Sequence, residues 1–218
     1  MFNGLSLENI GLFIWGVVAS IGWIKKNITL KKEKKEVKIL KEVVYDDKVA
    51  QIKRVYNLQR FSELEKSIKK VLYKTPIDRF TILFVMNGHT TFEFLTVLFD
   101  QKLGDTQVGG ESPYIKVRID RIYQDMIKDL EVDKHIFVDF SNGNFGRIGE
   151  YFRMEDIKCT LFSFVERRKL DKYTDMILYT TASSSIVNEL SVQERNVIEI
   201  LLTGKIIPRI LETISNGN

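Results

Sequence analysis

The segment Leu5 to Ile24, LSLENIGLFIWGVVASIGWI, limits what this chain can become more than any other stretch. Its one charge is Glu8, and the part from Ile10 to Ile24 has none. About 20 helical residues at a 1.5 Å rise span roughly 30 Å, the thickness of a bilayer's hydrocarbon core. Leu12, Phe13, Ile14, Trp15, Val17 and Val18 supply the apolar surface, and Gly11, Gly16, Ala19, Ser20 and Gly22 let neighbouring helices pack closely. Trp23 lies where an interfacial aromatic is expected, and Lys25 and Lys26 end the run abruptly. The segment is predicted to be a single membrane anchor. A cleaved signal peptide has its positive charge before the apolar run, the reverse of the order found here. A buried core helix is the other alternative, because the strictly apolar part is shorter than an ideal span.

Charge is unevenly placed. Residues 25–60 carry twelve Lys or Arg against five Asp or Glu, a net of +7; the whole chain is +4, which leaves −3 elsewhere. A basic flank directly after an apolar span predicts a cytoplasmic side for that flank, with the N-terminus outside. Lys25, Lys26, Lys31 and Lys32 are then placed to meet anionic headgroups. Nucleic acid is not the expected partner, since the patch adjoins the membrane and lacks aromatics until Tyr45.

From Thr29 to about Tyr73 the chain has neither Gly nor Pro, and apolar residues recur at helical spacing. The phase slips between Tyr45 and Val49, so a stalk with a stutter is predicted rather than a perfect heptad seam. Its first half is expected to pair with a second copy, making the protein a homodimer. Thr75-Pro76 ends the helix.

Strand-like segments follow at Arg79 to Met86 and Phe92 to Phe99, with Asn87-Gly88 as a turn signal between them. Tyr114 to Ile119 alternates, and the period then changes to that of a helix over about 120–130, with Asp120 as its cap. His135 to Phe140, Lys158 to Glu166 and Met176 to Ala182 read as strands, and Arg147 to Met154 as a short helix. Ser191 and Glu194 form a capping box that opens a last helix, with Pro208 expected to kink it. The predicted class is α+β: an antiparallel sheet covered on one side by the first and last helices, preceded by the anchor and the stalk. The boundaries are 1–26 for the anchor, 27–50 for the basic stalk and 51–218 for the domain.

The order of elements, with Asp78-Arg79 and TILFVMNG in the first strand, YIKVRID before the middle helix, and TLFSFVE and MILYTTAS late in the chain, resembles a GAF-type sensor domain, a relative of PAS domains. The resemblance covers about Val49 to Ser215 and extends to GAF-like proteins of bacteria and phages in which an anchor and a helix precede the domain. It implies small-molecule binding or dimerisation. The Asn-Lys-x-Phe-x-Asp-Glu pattern of cyclic-nucleotide-binding relatives has no counterpart, and Cys159 sits inside a predicted strand rather than in a bilin-bearing loop. One cysteine also falls short of methionine-sulfoxide-reducing relatives. No cofactor is indicated.

Candidate ligand-binding residues are Asn87 and His89 at a strand end, the cluster Arg118, Asp120 and Tyr123 at a strand-to-helix junction, and Arg147. Arg118 is placed to meet an anion, or to pair with Asp120. Arg147, with Asp139, Asn142 and Asn144, flanks a Gly-containing loop that opens a helix, a geometry able to hold an anion. Cys159 reads as a small buried hydrophobe. The two histidines stand far apart, and no nucleophile has a neighbouring base, so an enzyme is not expected. The reading is a membrane-anchored binding or interaction module. The alternatives are a phage-encoded or structural protein using the domain for assembly, and a degenerate relative of GAF-superfamily enzymes.

Overall fold

A computed structural model describes residues 27, 29–35, 45–50, 52, 62–87, 92–104, 117–172 except 142 and 144, and 174–215. The chain divides into two units, Met1–Arg54 and Val55–Asn218. In the first, the described stretches 29–35 and 45–50 are helical, and Lys31 and Lys32 are exposed. The predicted anchor, with Leu12, Phe13, Ile14, Trp15, Val17, Val18, Trp23, Lys25 and Lys26, lies outside the described residues, as does the middle of the predicted stalk. Among the described residues no helix is long and apolar enough to cross a membrane.

The second unit runs α1 (Ser62–Lys74), β1 (Arg79–Asn87), β2 (Phe92–Lys102), β3 (Val117–Arg118), α2 (Arg121–Asp133), β4 (His135–Asp139), α3 (Gly146–Met154), β5 (Cys159–Lys169), β6 (Asp175–Ser184) and α4 (Val192–Leu201). A π-helical turn, Leu202–Ile206, then leads into α5 (Ile207–Ser215). The six strands form one antiparallel sheet in the order β3-β2-β1-β6-β5-β4. Its two central strands are therefore the first and the last in sequence.

Both faces of the sheet are covered, where the sequence reading expects one. The reason lies in β1, in which every residue from Phe80 to Met86 is buried, so side chains of both parities must leave water. Leu83 and Val85 share a cluster with Ile177 and Tyr179 of β6, Phe162 of β5, Tyr123, Ile127 and Leu130 of α2, and Ile148 and Phe152 of α3. Phe80, Ile82, Phe84 and Met86 have the opposite parity. α1, which buries Leu64, Ile68, Val71 and Leu72, meets β1 and the π turn. Of the predicted strand over Tyr114 to Ile119, Val117 and Arg118 pair with β2 and the Ile119 amide donates to the Glu93 carbonyl at 3.0 Å; residues 114–116 lie outside the described residues.

The C-terminal helix solves a spacing problem. Ile198, Leu202, Ile206 and Ile210 are all 0% exposed and recur every four residues. At 3.6 residues per turn each step of four overshoots by about 40°, so three steps would carry Ile210 roughly 120° off the buried face. The wider π turn takes back that drift, with the Ile207 amide donating to the Leu202 carbonyl. Pro208, two residues after Ile206, has no amide to offer the Gly204 carbonyl, which suits it to follow such a turn. Pro208, expected to kink the helix, directly follows this change of helical pitch.

Candidate functional site

Asp120 is the N-cap of α2, as its position in the sequence predicts: its Oδ1 accepts from the Tyr123 amide at 3.0 Å. Its Oδ2 accepts from the Arg147 amide at 2.6 Å, in the first turn of α3. One carboxylate thus serves two helix N-termini, where unpaired amides and the helix dipole favour negative charge. The loop before α3 does hold an anion, and that anion is the chain's own side chain. Gly146 makes the approach possible. Its φ is +65°, and a Cβ there would stand 2.1 Å from Asp120 Oδ2.

The structure therefore joins Asp120, Tyr123 and Arg147, but through backbone amides. The side chains of Arg118 and Arg147 are exposed, and Asp120 is not paired with Arg118. Asn87 ends β1, and its backbone pairs with Phe92. His89, Asn142 and Asn144 lie outside the described residues. Asp139 accepts from the amide of Ser141 at 2.8 Å and from its hydroxyl at 2.5 Å, a local turn.

Tyr123 turns its ring into the core, where its hydroxyl lies 2.7 Å from that of Tyr179. Burial pushes both phenols well above their ordinary pKa. Around them Phe162, Phe152, Phe140 and Phe145 follow one another at centroid separations of 4.9–6.4 Å. This aromatic layer belongs to the core cluster between the sheet and the helices α2 and α3. Cys159 is buried, donates to the Val187 carbonyl at 3.3 Å, and has its thiol pKa pushed up to about 11, chiefly by burial.

A cavity of about 20 Å³, large enough for a water molecule, is bounded by Leu83, Leu95 and Val97 of the sheet and by Ile148, Tyr151 and Phe152 of α3. Its polar end is formed by Arg79, Thr81, Thr181 and Ser183, all at most 5% exposed. The Arg79 guanidinium takes Asp100 as a fork, Nε to Oδ1 at 2.9 Å and a terminal nitrogen to Oδ2 at 2.6 Å. Its other terminal nitrogen donates to Glu155 Oε2 at 3.0 Å. Glu155 is the C-cap of α3 and also meets Lys102 at 3.3 Å. The next residue, Asp156, has φ +59°, a conformation that costs an L residue energy. α3 is thus clamped at its start by Asp120 and at its end by Arg79.

Sequence reasoning missed this second clamp. Arg79 reads as the polar head of an apolar strand, and nothing in the spacing to Asp100 or Glu155 announces a pair. The signal present was the Asp78-Arg79 dipeptide before seven consecutive apolar or hydroxyl-bearing residues. Asp78 itself accepts from the Ser185 amide and hydroxyl, tying the start of β1 to the end of β6. Among the described residues no three His, Cys, Asp or Glu side chains converge to hold a metal.

No protein-family model and no curated protein matches this chain. Among solved structures it is similar to a far-red cyanobacteriochrome photoreceptor, at 10% identity over 81% of this chain and 98% of that one, with a TM-score of 0.50. It is also similar to the GAF domain of a two-component sensor histidine kinase from Bacillus halodurans (17% identity, 70% and 93% of the two chains, TM-score 0.42). A third likeness is to the VqsR LBD domain from Pseudomonas aeruginosa (12%, 78% and 97%, 0.43). These identities bear on fold alone. The fold is GAF-like: a six-stranded antiparallel sheet flanked by helices.

Proposed function

We propose that the chain is a membrane-tethered, non-enzymatic interaction module in which a GAF-like domain acts through pairing with a second copy. The observation that carries this reading is the outward stripe of α4. Val192, Val197 and Ile200 are 71%, 44% and 67% exposed, and Gln193, Asn196 and Thr203 lie among them on the same side. None of these six is charged. Of the charged residues of the helix, Glu194 returns to Ser191, Arg195 lies over the Phe137 ring at 3.8 Å, and the half-buried Glu199 borders the stripe beside Val192. An uncharged stripe on a chain that is 28% charged can oppose its own copy without repulsion.

The tether is the segment Leu5 to Ile24, with the basic flank holding the domain on the cytoplasmic side. Tethering raises the local concentration of the domain, so that a weak pairing surface suffices. The stalk adds to the pairing. Sedimentation of the full chain in lipid nanodiscs tests this, with Val197→Lys and Ile200→Lys as variants. Dimers that the substitutions dissociate support the proposal; a wild-type chain that stays monomeric at the highest attainable concentration sinks it. Extraction of membranes with alkaline carbonate tests the tether, which requires the chain to remain in the pellet.

A second reading, small-molecule sensing, is favoured by one observation, the cavity beneath α3. In this reading the ligand is small and lies at the Arg79 end of the sheet.

A further inference from the structure

β4, with the sequence HIFVD, is the last strand of the sheet, and among the described residues no strand pairs with its outer side. The Phe164 amide donates to the Lys134 carbonyl and the Phe140 amide to the Lys158 carbonyl, both at 2.8 Å. In an antiparallel ladder a residue turns its amide and carbonyl to the same side, and that side alternates along the strand. The even-numbered residues from Lys134 to Phe140 therefore serve β5, and the backbone groups of His135, Phe137 and Asp139 point away from it. Natural chains blunt such an edge with proline, lysine, a bulge or a very short strand. β4 has five residues in unbroken register with β5, contains neither proline nor lysine, and keeps four of the five only half-buried.

The strand is complementary to itself. Laid antiparallel on a second β4 about Phe137, it sets Phe137 against Phe137, Ile136 against Val138 and His135 against Asp139. An apolar centre then lies between two pairs in which an imidazole faces a carboxylate, and no like charges meet. The His135 ring is already oriented by β5: its Nδ1 lies 2.8 Å from Ser163 Oγ, which leaves Nε2 for a partner on the other side. Asp139 is held by the Ser141 amide and hydroxyl in the turn that follows. Slipping the two strands by one residue would turn the outward backbone groups of one against the inward groups of the other. Slipping them by two would lose both His135–Asp139 pairs.

The same axis suits the helix stripe described above. Arg195 of α4 lies over the Phe137 ring, so α4 stands beside β4 on the Phe137 face of the sheet. A two-fold axis through Phe137, perpendicular to the sheet, brings the two α4 helices onto that one face from opposite sides. We infer that β4 is the edge through which two copies of this chain pair, antiparallel and in register at Phe137, so that their sheets become one and their α4 helices face each other across the axis. The inference rests on the pairing reading and gives it a surface and a register.

The test is disulfide trapping in the full chain reconstituted in nanodiscs. In this register Ile136 and Val138 of the second copy form a non-hydrogen-bonded pair, whose Cβ atoms come close enough for a disulfide. Chains with Ile136→Cys and chains with Val138→Cys are expected to cross-link about tenfold more when mixed than either does alone. The buried Cys159 gives no band in the wild type, and thermal melts report whether the two variants are folded. Hydrogen exchange on the wild type needs no substitution. In discs loaded with several chains, the amides of His135 and Phe137 are expected to exchange about tenfold more slowly than in discs holding one. Dimers seen by sedimentation with neither the mixed cross-link nor this protection overturn the edge and leave pairing through α4. Amides equally slow at one chain per disc mean that the chain closes this edge on itself, and amides equally fast in both leave it to a different protein; either result overturns the inference. A wild-type chain that stays monomeric overturns the pairing reading as well.

Discussion

Replacing Asp120 by alanine removes one side chain and uncaps two helices. Capping aspartates are worth about 0.5–2 kcal/mol each, and hydrogen bonds to a charged group about 1.5–3 kcal/mol. Asp120 is only half-buried, which places the two bonds together near 2–4 kcal/mol. For a unit the size of Val55–Asn218 that lowers the melting temperature by roughly 5–15 °C. Asp120→Asn keeps an acceptor for the Tyr123 amide but turns an NH2 toward the Arg147 amide, so it falls between. Gly146 turns the argument into a coupling. In the wild type, Gly146→Ala meets a left-handed backbone penalty of about 1–2 kcal/mol and also drives a methyl into the carboxylate. Once Asp120→Ala has removed that carboxylate, only the backbone penalty remains. The double variant is therefore expected to be about 1–2 kcal/mol more stable than the two single losses predict. Urea melts of the four chains measure this directly. Strict additivity, or a loss below about 1 kcal/mol for Asp120→Ala, would refute the shared cap.

Further outcomes follow from the packing. Tyr123→Phe leaves the Tyr179 hydroxyl buried without a partner and is expected to cost about 1–3 kcal/mol, whereas changing both tyrosines to Phe is close to neutral in a denaturant melt. Deleting Gly204 changes the buried spacing of the last helix from 4-4-4 to 4-3-4, eleven residues that end about 20° from three whole turns of an α-helix. The deletion is therefore expected to fold with a loss of no more than about 1 kcal/mol, and circular dichroism that shows gross unfolding would count against the pitch argument. Gly204→Ala, with nothing within 4 Å of the new methyl, is expected to stabilise by up to about 1 kcal/mol. The Cys159 thiol, raised from 9.0 to about 11 by burial, favours the folded state fully below pH 9 and loses that contribution as pH rises toward 11. At neutral pH its reaction with a disulfide reagent should proceed no faster than unfolding, and rapid labelling of the native chain contradicts its burial.

How legible this molecule was depended on the range of each contact. The strands other than the one predicted over Tyr114 to Ile119, the change of period at Arg121 and the Ser191–Glu194 capping box are local patterns, and they are close to where the sequence puts them. Asp120 could be read as a cap because its partner is three residues away. Its second partner is 27 residues on, across a strand and a loop, and no spacing rule reaches that far. Arg79 is harder still, since its carboxylates lie 21 and 76 residues away and come together only when α3 settles on the sheet. The covering of both sheet faces was in principle readable from the unbroken apolar run in β1. The cleaner alternation near Val117, at the edge of the sheet, pointed to one covered face.

The strand order has a consequence for how the chain can be made. β1 lies between β2 and β6, and its partner residue for Arg79 on the far side is Ser183. During synthesis β1 and β2 emerge early and can close a hairpin, but the other edge of β1 stays open until nearly the whole domain has left the ribosome. That edge is apolar along its length, and an unpaired apolar edge recruits other chains. Shortening the protein before β6 would therefore do more than remove a strand: it would leave β1 and β5 each with an open side. Such truncated chains are expected to aggregate rather than fold in part, and the intact chain to fold slowly, in keeping with its long-range central ladder.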